Sequence, residues 1–280
     1  MLDNEVNEQE VKRTEIEYKV RLKNFLLQCL KSPFFIIGII LVVFSILIAF
    51  FPQILTPYTL AEALDFYPNP DNPDQLPYMP PSAEHPLGTT KFGRDLLALI
   101  SWGTRDTLLV GFGAAFIGLL GGVIIGLIAG KFNLLVYRVI LGLITIAFIV
   151  PAFILVLILT KIFGETNTII TVSLGILLIP SFTKVIANVT FRQNSLKNII
   201  KTIITYIPLN VALGILLYVA VGFIGVNPDD WGLPQLSFYI SEARAQLVGN
   251  PMVIFWPGFA IFMILIGFFF LHEGLKDQLQ

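Results

Sequence analysis

Six long apolar runs, separated by more polar stretches, organise this chain: residues 34–51, 108–129, 136–160, 169–187, 203–225 and 252–271. A helix needs roughly 20 mostly apolar residues to cross a hydrocarbon core about 30 Å thick, and each run is close to that length or longer. Inside a bilayer the backbone must satisfy its own hydrogen bonds. The pattern therefore predicts an all-α polytopic membrane protein with six transmembrane helices. Pro151 falls inside the third run and Pro180 inside the fourth, and both predict helix breaks. Ahead of the first span, Ile16, Val20, Leu27 and Leu30 recur near helical spacing and Pro33 ends the run, which predicts an N-terminal helical segment over 1–33. No cleavage pattern precedes the first span (34–51), so it reads as a signal anchor. Residues 52–106 form the longest connection, and nine of the 17 prolines fall in 52–86, which predicts an extended loop poor in regular structure. Residues 107–280 then form a core of five helices.

One helix carries a packing signature. Ala114, Gly118, Gly122, Gly126 and Gly130 lie four apart in the second run, on one face, where another helix backbone can approach closely. Orientation follows from the flanking cations. Residues 1–33, the second-to-third and fourth-to-fifth connections and the tail hold 13 Lys and Arg, and the opposite loops hold five: Lys91, Arg94, Arg105, Lys161 and Arg244. Both termini are therefore expected in the cytoplasm, with the protein in the cell membrane and residues 52–106 outside.

Composition sharpens this reading. Apolar residues make up 55% and charged residues 13%, against roughly a quarter charged in a soluble domain. A net charge of −1 offers nothing to nucleic acid. A single cysteine, Cys29, excludes an internal disulfide or a cysteine-based zinc cluster, and His85 and His272 have no metal-ligand spacing. Gly130-Lys131 is not a phosphate loop, since Ile125 and Phe132 stand where Gly and Ser or Thr are needed. No catalytic motif is present, and Ser101, Ser173 and Ser181 have no histidine nearby in sequence. The middles of the apolar runs lack ionisable residues, which ion-coupled carriers commonly keep; transport energy would then come from another chain.

The run from His85 to Asp95 (HPLGTTKFGRD) resembles the H-x-L-G-T-D-x-x-G-R-D signature of ABC importer permeases of the dipeptide/oligopeptide/nickel group, of the DppC/OppC type. Trp102 to Arg105 (WGTR), Gly222 to Gly225 (GFIG), Trp231-Gly232, Ser241 to Arg244 (SEAR), Trp256 to Phe262 (WPGFAIF) and Gly274 to Asp277 (GLKD) are similar to later stretches of that family, in the same order. The resemblance runs over about 33–280. It implies the type I importer permease fold, with half of a translocation pathway in this chain and the other half in a second permease of the DppB/OppB type. Two ATPase subunits carrying ATP and Mg, an extracytoplasmic solute-binding protein and membrane lipid complete the implied partners, and no cofactor is implied in this chain. Peptides, nickel chelates and oligosaccharides all use such permeases. Gly88, Thr89, Gly93, Arg94 and Asp95 would shape the outer mouth of the second helix, with Asp95 at its N-terminus, or meet the binding protein. Thr145, Ser173 and Ser181, near Pro151 and Pro180, are candidates for an uncharged pathway wall.

The resemblance has two departures. Thr90 stands where the signature has Asp. The connection between the fourth and fifth runs lacks the family's E-A-A–x3–G coupling motif and is shorter, leaving Asn194, Ser195, Leu196, Lys197, Ile200 and Lys201 as candidates for a reduced amphipathic coupling segment. An ion-coupled carrier or channel, and an accessory membrane subunit without its own coupling, are the alternatives.

Overall fold

A computed structural model describes residues 29–64, 78–147, 152–193, 195–226, 228 and 232–279. Most of the expected N-terminal helical segment, together with Pro151, Asn194 and Trp231, lies outside the described residues. The described residues are 79% helical, and among them the one strand-like feature is an isolated bridge between Thr89 and Asp95.

Helix α1 spans Pro33–Phe50; Ser32 caps it through Phe35 N, and Pro33 occupies a first-turn position where no N–H is needed. Helix α2 (Leu60–Leu64) is a single turn, held at its start by a reciprocal bond set in which Glu62 accepts from Thr59 N at 2.7 Å and Thr59 Oγ1 accepts from Glu62 N. Helix α3 covers Leu96–Lys131, α4 Leu134–Ala147, α5 Ala152–Phe163, α6 Asn167–Gln193, α7 Leu196–Phe223, α8 Leu236–Glu242 and α9 Met252–Leu279. Five of these, α1, α3, α6, α7 and α9, are long and apolar enough to cross a membrane. The third apolar run is described as two shorter apolar helices, α4 and α5, on either side of 148–151, which lie outside the described residues.

Three further expectations change. Helix α3 begins at Leu96, so 96–106 of the expected loop is helix, and its 36 residues extend for about 54 Å, well beyond a hydrocarbon core. Polar residues such as Ser101, Thr104 and Asp106 end the apolar run early, yet they are buried within the protein. Pro180 does not break α6, which continues from Asn167 to Gln193; its flanking residues Leu178 and Phe182 are buried and hold the helix through the lost hydrogen bond. The segment over 194–201 is not a separate amphipathic element: just two residues separate α6 from α7, and Leu196 to Lys201 form the first turns of α7.

The expected glycine face is the centre of the fold. It packs on α6, whose residues meet it at the same four-residue interval. An added Cβ would lie 2.6 Å from Leu178 Cβ at Gly118, 2.4 Å from Phe182 Cβ at Gly122, 2.9 Å from Ile186 Cβ at Gly126 and 2.5 Å from Thr190 Cβ at Gly130. No side chain fits in those gaps, so hydrogen alone allows the approach. A second close pair joins the two ends of the chain: Gly38 of α1 lies against the backbone of Leu271 in α9, and Gly274 of α9 against Phe35. Helix α7 fills the centre, with Val211 and Ile215 fully buried against α1, α3 and α9.

Candidate functional site

The signature residues build a compact knot over the start of α3. Gly88 adopts φ +82, and a Cβ there would lie 2.5 Å from the Met79 carbonyl oxygen, so glycine is required for both conformation and space. The chain then doubles back: Met79 N donates to Thr89 Oγ1 at 2.8 Å, Thr89 N to Met79 O at 3.1 Å and Tyr78 N to Thr90 O at 3.0 Å. Gly93, at φ +70, turns the chain so that Thr90 N reaches Arg94 O at 2.9 Å. Asp95 then caps α3. Its Oδ1 accepts from Ala98 N at 2.7 Å, and its Oδ2 lies 3.0 Å from His85 Nδ1. A carboxylate only accepts, so the Nδ1 of His85 carries the proton.

The knot grips α8. Arg94 Nη1 donates to the Tyr239 hydroxyl at 2.9 Å and Lys91 Nζ pairs with Glu242 at 3.1 Å. Burial pushes the Tyr239 pKa above its usual value despite the opposing pull of the Arg94 guanidinium, so the phenol stays neutral and accepts from Arg94. Trp102 Nε1 donates to Tyr58 O at 3.3 Å, and the Tyr58 ring stacks on His85. All five signature residues thus hold one plug together by their side chains or their backbone conformation. Thr90, where the family signature has Asp, accepts from Phe92 N through Oγ1 at 3.4 Å.

Below the plug lies a polar knot that the sequence did not single out. The Tyr218 hydroxyl of α7 donates to Asp106 Oδ2 of α3 at 2.6 Å and lies 3.1 Å from the side-chain amide of Asn167 in α6. The Asn167 atom nearest the hydroxyl is Oδ1, so the single hydroxyl proton, aimed at Asp106 by the shorter contact, is shared between two acceptors. All three residues are buried, and they tie α3, α6 and α7 together. Asp106 escaped notice because it sits two residues ahead of the second apolar run.

At the other end, where α6 turns into α7, a polar cleft of about 660 Å³ opens between them, lined by Lys184, Asn188, Gln193, Asn198, Lys201 and Tyr206 among others. The Tyr137 hydroxyl of α4 bonds Asn188, and His272 Nδ1 of α9 meets Thr205 O of α7 at 2.6 Å. Of the expected coupling residues, Lys201 is half-buried in the cleft wall; Leu196, Lys197 and Ile200 are exposed on α7, and Ser195 is its N-cap. The expected pathway residues are not gathered. Thr145 is exposed with its hydroxyl bonded to Leu141 O, Ser173 is buried, Ser181 is half-buried, and no hydrogen bond joins them among the described residues.

Comparison with known proteins now bears on this arrangement. The chain is 29% identical over 275 residues to the dipeptide transport system permease protein DppC of Alkalihalophilus pseudofirmus, covering 90% of this chain and 87% of the relative. It is 27% identical to the glutathione transport system permease protein GsiD of Pectobacterium atrosepticum, covering 85% and 84%, and 24% identical to DppC of Haemophilus influenzae, covering 88% and 89%. These relatives support a permease subunit of the DppC/OppC type. No family model matches it. The several apolar helices and these relatives support a multi-pass membrane protein that is a transport component.

Proposed function

We propose that this subunit forms half of the translocation pathway of an ATP-driven importer of peptides or similar small solutes. A second permease of the DppB/OppB type completes the pathway. Two ATPase subunits, holding ATP and Mg, lie on the cytoplasmic side, and a solute-binding protein delivers cargo outside. The observation that carries the reading is the polar cleft between α6 and α7, at the end of the molecule that gathers Lys31, Lys131, Lys184, Arg192, Lys197, Lys201 and Lys276. In this reading that basic end is cytoplasmic and the signature plug faces outward, as the distribution of 13 cations against five favours. The cleft wall holds Lys184 and Lys201, so its mouth suits solutes that end in a carboxylate, as peptides do, and departs from the uncharged wall expected from the sequence. Signature-plug residues Gly88, Thr89, Gly93, Arg94 and Asp95 fix the outer ends of α3 and α8 against which a delivering protein would press.

The test is reconstitution of the complete complex in liposomes. Uptake of a radiolabelled dipeptide is expected to require ATP on the side of the basic end and to persist when ion gradients are collapsed. Uphill uptake by this chain alone, driven by a proton or sodium gradient, overturns the proposal.

A second reading has its own support. With two residues between α6 and α7, no separate element projects there among the described residues to engage an ATPase, which favours an accessory role in which the other permease carries the coupling. The exposed positions decide between them. If L196D, K197E and I200D together leave ATP-driven uptake intact, coupling lies in the other permease; if uptake falls while assembly persists, the first turns of α7 carry it.

A further inference from the structure

Arg105 belongs to the signature stretch that leads into the second span, yet it takes no part in the plug. It is exposed, and among the described residues it makes no hydrogen bond or ion pair. It lines a pocket of about 160 Å³ whose other walls are apolar: Ile46, Ala49 and Phe50 from the end of α1, and Leu108, Leu109 and Phe112 from α3. The level of this pocket follows from α1. Its 18 residues rise about 27 Å, just enough to cross the hydrocarbon core, so the turn ending at Phe50 sits at a headgroup boundary. Arg105 lies at that turn, while Leu108 and Phe112 lie one and two helical turns deeper along α3. A guanidinium at headgroup depth, with an apolar groove descending from it toward the bilayer centre, has the charge and polarity profile of a phospholipid. A planar, permanently charged fork suits a phosphate, and the groove suits one acyl chain.

We propose that this groove between α1 and α3 is a phospholipid site, with the lipid phosphate on Arg105 and one acyl chain against Leu108, Leu109 and Phe112. The site does not depend on the transport reading, and it places an anion-bearing lipid beside the helix pair that joins the first span to the plug.

The full chain, solubilised in mild detergent, carries the test by native mass spectrometry and by lipid extraction. Wild type retains a phospholipid. Arg105→Gln is expected to retain about fivefold less, the loss of one cation–phosphate contact near the surface, and Leu109→Trp a similar amount less by filling the groove without changing charge. Arg105→Lys recovers part of the retention. Lys161→Gln, which removes an exposed cation at the same end, retains as much as wild type. Added phosphatidylglycerol raises the unfolding temperature of wild type but not of Arg105→Gln, whereas inorganic phosphate raises neither. Retention by Arg105→Gln and Leu109→Trp equal to wild type, absence of lipid from wild type, or equal stabilisation by inorganic phosphate each overturns the proposal.

Discussion

Asp95 serves two partners at once. One oxygen caps the 36-residue α3 and the other holds His85, and both contacts are buried. Asp95→Ala removes an N-cap and leaves the His85 imidazole without its acceptor. The expected cost is about 2–3 kcal/mol, read as a fall in unfolding temperature of the detergent-solubilised protein. Asp95→Asn keeps an oxygen for the Ala98 N–H and should lose less. Equal losses in Asn and Ala would show that charge, and not capping, sets the contribution. Gly88→Ala tests the same plug through the backbone. It meets both a left-handed φ and the Met79 carbonyl, so it should cost about 1–3 kcal/mol even though a methyl group is small. The capping role of Asp95 was legible in the sequence because capping needs an acceptor just ahead of a helix. The Asp106–Tyr218–Asn167 knot was not, because its members are 61 and 51 residues apart in sequence and just the folded core joins them.

Element packing makes a sharper statement, because the glycine ladder of α3 meets α6 with no room for a side chain. Gly122→Ala places a methyl carbon 2.4 Å from Phe182 Cβ, so the helices must part along the whole seam; a loss of about 1–3 kcal/mol in thermal or denaturant unfolding is expected. Gly142→Ala is the matched control. Gly142 lies in the interior of α4 with open space around the position, so alanine should be neutral or stabilise by up to about 1 kcal/mol through helix propensity. Equal effects at the two positions would show that propensity, and not close approach, governs. The ladder itself was legible, since a four-residue period of small side chains marks a close-packing face without reference to a partner. Its partner stripe was not, because Leu178, Phe182, Ile186 and Thr190 are ordinary residues that become a complementary surface solely through the backbone separation the glycines permit. Element ends were misjudged for a related reason. Hydropathy measures what lipid tolerates, whereas the polar first turns of α3 are shielded by the plug, α2 and α8, and Pro180 is carried through by packing on both sides.

At the scale of the whole molecule, the chain is an asymmetric object: a hydrogen-bonded plug at one end, and an open, basic, polar cleft at the other. Sequence made the two ends legible as cation-poor and cation-rich but gave no cleft, which requires α6 and α7 to diverge just beyond a two-residue turn. The asymmetry gives an orientation prediction that a single native thiol makes clean to test. Cys29 is fully buried, and burial pushes its thiol pKa above the ordinary value. At neutral pH the thiolate is therefore scarce and shielded, and wild type should label poorly with a maleimide. New thiols at exposed positions then report alone. Lys91→Cys places one on the plug and Lys197→Cys one on the first turn of α7, both at exposed positions. In intact cells a membrane-impermeant maleimide should label Lys91→Cys and leave Lys197→Cys unlabelled until the membrane is permeabilised. Labelling of both before permeabilisation would place the plug and the hairpin on one side of the bilayer, which a helix of 36 residues joining α2 to α4 across the core does not allow. The reverse pattern would invert the molecule and move the cleft to the outside, and with it the side on which an ATPase could act.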